Sequence, residues 1–400
     1  MKILQLSNKA PFPSTDGSSI AISNLAFGLS EHDVNIHLLT INTKKHFKPD
    51  EEVSAIIKNK IHYQSVYKNT STSIIGAFLN LFSNQSYFSS RFYFKAFEKV
   101  LIKKLNSETF DIIQLEGVFM ASYIHIIKKY SRAIISLRTH NIEHQIWERV
   151  LLQEKNWLKK KYISLQNNRL KKFELNAFQL CDTIITITDI DRKNIEALGF
   201  NKKIKTSLTG VDLKMYQPIL YPSETNTVFS FASMDWLPNV EAVNWFLQHV
   251  WDDVSKEMPN IKLIIAGKGM PLSIQKKASD KIHVIEHVEN STKLYQQYDI
   301  MIVPLLSGSG LRIKLVEGLA YGKAIITTSI GAEGIPYEKN KHLIIADSAI
   351  DFKNALIELI KNKHLKTELQ ISARQLAEAE FDYKKVAKEL IIFYQSLLES

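Results

Sequence analysis

The chain of 400 residues contains one cysteine, Cys181, which excludes an intramolecular disulfide framework and is typical of a reducing compartment. It also lacks any apolar run of the roughly 20 residues that a membrane-spanning helix needs. The first residues, KILQLS, look like a strand, so we expect no signal peptide. Short-period repeats and low-complexity tracts are missing too. These absences predict a globular protein located in the cytoplasm.

Acidic residues are fewer than basic ones: 41 Asp and Glu stand against 51 Lys and Arg, a net charge of +10. Such an excess favours anionic partners. Part of it lies in residues 155–172, where lysines alternate with apolar residues as in an amphipathic helix. The charged face of such a helix is either solvated, which we slightly favour, or in peripheral contact with an anionic membrane. In the second case the protein would lie at the inner face of the membrane. We expect no nucleic-acid partner, because aromatic stacking residues do not accompany the charges.

Short runs rich in Ile, Val and Leu recur along the chain and alternate with helix-like segments. Continuous apolar strands of this kind predict an α/β fold with parallel sheets covered on both faces. The predicted strands are residues 3–6, 36–41, 112–115, 133–137 and 183–187 in the first half, and 228–231, 262–266, 283–285, 300–305, 324–327 and 343–346 in the second.

Two such series predict two Rossmann-like domains. A stretch with two prolines and weak periodicity separates them, so the domains are 1–212 and 228–383 with a linker at 213–227. Residues 384–400 have a helical pattern. Ligands of open parallel sheets bind at the carboxyl ends of the strands, and we therefore expect a cleft between the two domains.

The most informative stretch, IMIVPLLSGSGLRIKLVEGLAYG, predicts a buried strand, a loop and a helix. Arg312 and Lys314 fall in the first turn of this helix, where the macrodipole disfavours cations by about 0.3–1 kcal/mol each. Their presence there indicates an anion next to the helix N-terminus. Gly308 and Gly310 would let the backbone approach that anion closely.

A helix that begins near Ser309 would place Lys314 and Glu317 on one face. That face would offer a cation for a phosphate and a carboxylate for hydroxyl groups. A sugar nucleotide carries both groups.

Further loops follow strands of the second half. Gly267 and Gly269 resemble the start of a dinucleotide fingerprint, but Leu272 replaces its third glycine, which leaves a turn beside a nucleotide or a simple β-turn. Asp235 and Asn239 are predicted to organise a turn and to cap a helix.

In the first half, Arg138, His140, Asn141 and Glu143 crowd the end of one strand. Arg138 could hold an anion and His140 could polarise a hydroxyl or phosphate; the alternative is a hydrogen-bonded strand end with Asn141 as a helix cap. The cluster as a whole favours function. Gly17 lies in a loop that either presents backbone N–H groups to a phosphate or forms a turn with a cap.

A possible metal motif, Asp189-Ile190-Asp191, is better explained as a helix start capped by Thr188. We expect neither a metal nor a cofactor.

Several of these stretches, in their order and spacing, resemble GT-B glycosyltransferases, in particular the retaining family 4. The resemblance spans nearly the whole chain and is strongest around the second-half glycine loop. Its motifs are FASMDWLPNVEAVNWF, IIAGKG, VPLLSGSGLRIKLVEGLAYGKAIITTSIGAEGI and HLIIAD in the second half, with RTHNIEH and TSLTGVDLKMYQP in the first.

The resemblance implies an acceptor-binding first domain, on which the C-terminal helix packs, and a second domain that binds a nucleotide sugar. Glu317 would hold the ribose, Arg312 and Lys314 would face the diphosphate, and His140 would lie near the transferred sugar. The predicted catalytic residues are thus His140, Arg312 and Lys314. The other donor contacts are Gly17, Gly267, Gly269, His287, Val288, Gly308, Ser309, Gly310 and Leu311, and the acceptor contacts are Arg138, Asn141 and Glu143.

Two departures from the family indicate a variant site. Ser309 stands where relatives often carry a first glutamate that contacts the donor sugar, and Met234, Asp235, Trp236 and Asn239 stand where many carry an Arg and a Lys. Both belong to a branch with the motif GSGLRIK.

The predicted function is metal-independent, retaining transfer of a sugar, as in hexosyltransferases, from a nucleoside-diphosphate sugar to a glycan or glycolipid hydroxyl in cell-envelope synthesis. The alternatives are a sugar-nucleotide epimerase or hydrolase on the same fold, and an inactive sugar-nucleotide-binding protein. The sequence leaves the sugar, the base and the acceptor open.

Overall fold

The computed structural model describes residues 1–14, 16–57, 60–218, 224–288, 291–308 and 310–399. Contacts divide the chain into two compact units. The first unit comprises Met1–Gly210 and Tyr383–Ser400, and the second comprises Val211–Asp382. Each has its own parallel sheet.

The first unit contains a seven-stranded sheet in the order β3-β2-β1-β4-β5-β6-β7. Its strands are β1 Lys2–Ser7, β2 Asn35–Thr43, β3 His62–Lys68, β4 Ile112–Glu116, β5 Ile134–Thr139, β6 Thr183–Thr186 and β7 Lys203–Thr206. Its helices are α1 Gly17–Ser30, α2 Asp50–Ile57, α3 Ile74–Leu79, α4 Tyr87–Ser90, α5 Lys95–Ser107, α6 Ile124–Tyr130, α7 Glu143–Gln153, α8 Trp157–Leu180, α9 Asp189–Glu196 and α17 Tyr383–Leu398.

The second unit contains a six-stranded sheet in the order β10-β9-β8-β11-β12-β13. Its strands are β8 Glu224–Phe231, β9 Lys262–Ala266, β10 Ile282–Ile285, β11 Tyr298–Val303, β12 Ala324–Thr327 and β13 Ile344–Ile345. Its helices are α10 Leu237–Phe246, α11 Asp252–Glu257, α12 Leu272–Gln275, α13 Ser291–Gln297, α14 Ile313–Ala320, α15 Ala349–Lys361 and α16 Lys363–Glu380. A π-helical turn, Leu247–Trp251, joins α10 to α11.

The predicted α/β architecture with two parallel sheets is confirmed, and each predicted strand is present. Two strands, β3 and β7, were not predicted. Both lie at edges of the first sheet and have the polar sequences HYQSVYK and KIKT, because an edge strand is less buried than a central one. Strand β8 begins at Glu224, inside the predicted linker 213–227, of which residues 219–223 lie outside the described part.

The C-terminal helix α17 packs into the core of the first unit. Ala387, Leu390 and Tyr394 are buried there with residues of α1 and the central strands. A side chain at Gly28 of α1 would lie 2.6 Å from the Tyr383 carbonyl oxygen, so only glycine permits this approach of the two helices. No helix of the described residues is both long and apolar enough to cross a bilayer.

Candidate active site

The loop between β11 and α14 contains two glycines with left-handed backbone, Gly308 at φ 115° and Gly310 at φ 79°. Helix α14 begins at Ile313 with Arg312 as its N-cap residue. The predicted start near Ser309 is therefore wrong, because the left-handed backbone is incompatible with a helix. Ser309 itself lies outside the described residues.

Gly308 lies against two side chains of the second unit. A Cβ atom there would come 2.8 Å from the Trp236 ring and 2.9 Å from a guanidinium nitrogen of Arg312. The guanidinium lies 5.5 Å from the Trp236 ring centre, and its Nη1 donates to the Gly310 carbonyl oxygen at 2.5 Å. Trp236 and the glycine loop therefore fix the orientation of Arg312.

Lys314, in the first turn of α14, donates a hydrogen bond to the side-chain oxygen of Asn239 at 2.8 Å. Asn239 in turn donates to the Ser233 carbonyl oxygen at 2.7 Å. Helix α10 starts at Leu237, so the predicted helix-cap role of Asn239 is wrong: its amide holds the lysine.

Burial and the nearby charge of Arg312 lower the pKa of the Lys314 amine to about 7. Within the described residues, this amine bonds an amide oxygen and pairs with no carboxylate. The lysine is thus partly desolvated without a counter-charge.

Glu317, one helical turn after Lys314, accepts hydrogen bonds from the hydroxyls of Tyr216 and Tyr295 at 3.3 and 3.4 Å. Burial raises the pKa of the Glu317 carboxyl to about 7, against the opposing effect of these two bonds. Tyr216 belongs to the predicted linker, yet its carbonyl oxygen accepts a bond from Arg374 at 2.5 Å, which fixes it to the second unit.

The loops after β8 and β9 touch through their backbones. Gly267 and Gly269 have φ 146° and 73°, and a Cβ atom on Gly267 would come 1.7 Å from the Ala232 carbonyl oxygen. Trp236 extends from the β8 loop to Gly308. His287, exposed, and Val288, half-buried, follow β10, the strand beside β9. The loops after β8, β9 and β11 therefore meet at the carboxyl edge of the second sheet.

The first unit has a cavity of about 390 Å³ at the carboxyl edge of its own sheet. Three of the predicted residues line it: His140, Asn141 and Glu143. Gly17 is the first residue of α1, where Asp16 and Ser19 form a capping box. The helix cap, which was part of one of the two alternatives for this loop, is therefore present.

Arg138 lies beneath this cavity and does not line it. It is fully buried, and its Nη1 donates to a Glu116 carboxylate oxygen at 3.2 Å and to the Ala21 carbonyl oxygen at 3.1 Å. The predicted direct acceptor contact is therefore replaced by an ion pair inside the protein. Glu116 and Arg138 face each other in the β4–β5 register.

The same carboxylate oxygen of Glu116 lies 2.8 Å from Nε2 of His140. Burial disfavours the charge on Glu116, but Arg138 and the bond from His140 outweigh it and lower the pKa of that carboxyl. Burial lowers the pKa of His140, so the ring is neutral at pH 7. Because Nε2 faces a carboxylate, it carries the proton, and Nδ1 remains an acceptor.

Glu143 begins α7 and lines the cavity. Its carboxyl has a pKa raised to about 8 by burial and by the charge of Glu174, so it is protonated at neutral pH. Glu174 of α8 accepts the backbone N–H groups of Glu143 and His144 at 2.9 and 3.0 Å. Asn141, which the alternative interpretation made the cap, does not cap this helix, whose N-cap residue is Ile142; a carboxylate from another helix takes that role.

Sequence reasoning missed several residues of these sites: Glu116, Trp236, Tyr216 and Tyr295. Only Glu116 had a usable signal, because it ends the strand IIQLE beside the strand IISLRT, which contains Arg138. The helix start at Thr188 is confirmed, with its hydroxyl accepting from the Asp191 N–H. In the described part of the chain, no three His, Cys, Asp or Glu side chains are grouped to hold a metal ion.

Comparison with known proteins finds a family match within the second unit. Residues 225–362 match the family model described as "Glycosyl transferases group 1". An uncharacterized 44.6 kDa protein in the cps region of Klebsiella pneumoniae is 25% identical over 96% of this chain and 97% of its own length.

Solved structures match the chain over both units. Sucrose-phosphate synthase from Thermosynechococcus elongatus superposes with a TM-score of 0.72 at 14% identity, covering 100% of both chains. Anabaena HepE in complex with UDP gives a TM-score of 0.67 at 13% identity, covering 99% of this chain and 100% of its own. The protein therefore has the GT-B fold, and its residues 225–362 form a domain that matches the glycosyl transferases group 1 model.

Proposed function

We propose that this enzyme is a retaining, metal-independent glycosyltransferase that moves a sugar from a nucleoside-diphosphate sugar to a hydroxyl of a glycan or glycolipid. The observation that carries the proposal is the cluster in the second unit: Arg312 and Lys314 beside Glu317, with no carboxylate paired to Lys314 among the described residues. A diphosphate would supply the missing negative charge, and a ribose would supply hydroxyls for the carboxylate.

In this mechanism the bond between the sugar C1 and the diphosphate oxygen breaks, and negative charge develops on the β-phosphate. Arg312, fixed by Trp236 and the glycine loop, and Lys314, fixed by Asn239, would stabilise that charge without reorganising. The acceptor hydroxyl forms the new bond to C1 on the same face, and its proton passes to the leaving diphosphate.

The cavity of the first unit suits hydroxyl groups. Neutral His140 has an acceptor at Nδ1, and protonated Glu143 has a donor. We assign His140 to hydroxyls of the transferred sugar, and Asn141 and Glu143 to the acceptor. Arg138 would act only through Glu116, by holding the ring of His140 in place.

Two comparisons guide the choice of substrates. The complex of HepE with UDP makes uridine diphosphate the first nucleotide to test. The relative from a cps region supports a role in polysaccharide synthesis. A cytoplasmic enzyme at the inner face of the membrane would meet both nucleotide sugars and lipid-linked acceptors.

The test is nucleotide release from UDP-, GDP-, ADP- and CMP-sugars with and without a panel of glycan and glycolipid acceptors. We expect release from one donor that depends on an acceptor, unchanged activity after EDTA treatment, and a product whose anomeric configuration by NMR matches that of the donor. Release without any acceptor would instead indicate a hydrolase, an inverted product would contradict retention, and loss of activity with EDTA would contradict metal independence.

A further inference from the structure

Residues 69–90 of the first unit contain no charged side chain and expose large apolar ones. Helix α3 and the 3₁₀ turn Asn80–Phe82 that follows it bury none of their residues. Five of their side chains, here called the apolar face, are between 60% and 88% exposed: Ile74, Ile75, Phe78, Leu79 and Phe82. Patches of this kind on a folded protein mark interaction sites.

The segment formed by α3 and the turn Asn80–Phe82 is held in place by hydrogen bonds to α8 and to Tyr87. Arg169 of α8 donates to the carbonyl oxygens of Asn80 and Leu81 at 3.0 and 3.1 Å. The Tyr87 hydroxyl accepts the Ser73 N–H at 2.9 Å at the start of the segment. Phe78 and Phe82 pack edge to face, with ring centres 5.8 Å apart. The apolar side chains are therefore exposed on an anchored element.

Helix α8, which anchors the segment, is basic at its start. Residues 155–172 contain seven Lys and Arg and no acidic residue. Trp157 and Leu158 are exposed among these charges, and the Lys161 amine lies 5.1 Å from the Trp157 ring centre. Leu158, Leu165 and Arg169 are seven and four residues apart and therefore lie on one face of α8. This face extends from the basic start of the helix to the turn Asn80–Phe82.

The base of the segment also lines the cavity that contains His140. Thr70, Ser71 and Thr72 precede α3, Arg91 follows α4, and all four line that cavity. A molecule held at the apolar face therefore lies next to the cavity.

We propose that the apolar face and the basic start of α8 dock on an anionic lipid bilayer and bring the polar head of a membrane-bound acceptor to the cavity. Apolar side chains beside lysines are the chemistry that binds such surfaces. A second copy of the chain would bring its own excess of basic residues in 155–172 against this one, which disfavours self-association. Docking on the bilayer is independent of catalysis, whereas delivery of the acceptor rests on the proposed function.

The test is sedimentation of the full-length protein with vesicles of phosphatidylcholine, alone or mixed with an equal amount of phosphatidylglycerol. Two variants remove the surface: Ile74→Ser/Phe78→Ser/Phe82→Ser, and Lys159→Gln/Lys160→Gln/Lys161→Gln. Matched controls change exposed residues elsewhere: Ile350→Ser/Ile371→Ser/Ile392→Ser, and Lys262→Gln/Lys276→Gln/Lys277→Gln.

We expect the wild type and both controls to bind the mixed vesicles and not the neutral ones. The lysine variant should bind on the order of a hundredfold more weakly, since each lysine near an anionic surface contributes about fivefold. The affinity of the apolar variant for the mixed vesicles should be lower by at least about tenfold. Equal binding by the variants and the wild type, or no binding by the wild type, would overturn the proposal.

Gel filtration and UDP binding distinguish bilayer docking from self-association and from loss of folding. If the wild type is a dimer that the apolar variant converts to a monomer, and neither binds vesicles, the surface joins two copies and the proposal is wrong. Both surface variants should keep the thermal stabilisation that UDP gives the wild type, because their substitutions lie in the first unit. Vesicle binding by a protein that transfers no sugar would support docking and contradict the proposed function alone.

Discussion

Arg138 lies near the end of β5 in the first unit and Lys314 lies in α14, the helix after β11, in the second unit; both were predicted to face an anion. Their surroundings differ. Arg138 is paired with Glu116 inside the protein, whereas Lys314 bonds only the neutral amide of Asn239 among the described residues. A cation near a strand end therefore indicates a ligand only where the fold provides no carboxylate for it.

The two environments also give the cations different functions. Glu116, which is held by Arg138, also bonds Nε2 of His140. The ion pair therefore fixes the orientation of the histidine ring and its tautomer. Lys314 is desolvated without compensation, which a structure tolerates at a cost in stability where an anion binds. Substitution of the cation should therefore lower stability in the first unit and leave it unchanged or raise it in the second.

The largest expected effect is on the stability of the first unit. Among the described residues, Arg138→Met leaves the buried Glu116 carboxylate with only His140 and two glutamine side chains as partners, and it should lower the free energy of unfolding by about 3–5 kcal/mol. Lys314→Met removes a desolvated charge and should leave that free energy unchanged or raise it. Urea unfolding of both variants measures this, and equal losses would contradict the comparison.

Catalysis should be most sensitive in the second unit. Arg312→Ala/Lys314→Ala should lower turnover of the nucleotide sugar by about 10²–10³, because both groups act on charge that develops as the bond breaks. The control Lys276→Ala/Lys277→Ala removes two exposed cations of the same unit and should keep wild-type turnover. Full activity of the first variant would disprove the site assignment.

Much of the fold could be read from the sequence, because buried parallel strands are continuous apolar runs. The start of α14 could not, since the backbone of Gly308 and Gly310 depends on contacts with Trp236 and Arg312. Arg138 could have been assigned correctly had the β4–β5 register been considered, because it places Glu116 opposite. Tyr216 had no signal, as its contact with Glu317 joins residues 101 positions apart.

A smaller effect is expected at Glu317. Glu317→Gln keeps the size of the side chain but loses the charged acceptor, and should weaken nucleotide binding by about tenfold, the value of a hydrogen bond to a charged group. Glu358→Gln, an exposed position on α15 of the same unit, should bind as the wild type. Isothermal titration with UDP measures the affinity of both variants. An unchanged affinity of Glu317→Gln would contradict the proposed contact between Glu317 and the ribose.

The smallest effect is a pH dependence. The Lys314 amine has a pKa of about 7 without ligand, and a bound diphosphate would raise it. Binding then takes up a proton above pH 7, so the contribution of Lys314 to UDP affinity should fall by up to about tenfold per pH unit above pH 7. Lys314→Arg stays charged throughout and should show a shallower fall; the same slope in both proteins would exclude this lysine as the cause.

The most direct measurement of the central claim is thermal unfolding of the wild type, Lys314→Met and Lys276→Met with UDP, GDP, ADP and CMP. A nucleotide at 100 times its dissociation constant adds about 2.7 kcal/mol to the free energy of unfolding. We predict that one nucleotide stabilises the wild type and Lys276→Met by this amount and Lys314→Met by much less. Equal stabilisation of all three proteins, or of none by any nucleotide, would contradict the assignment of the donor site to Lys314 and its neighbours.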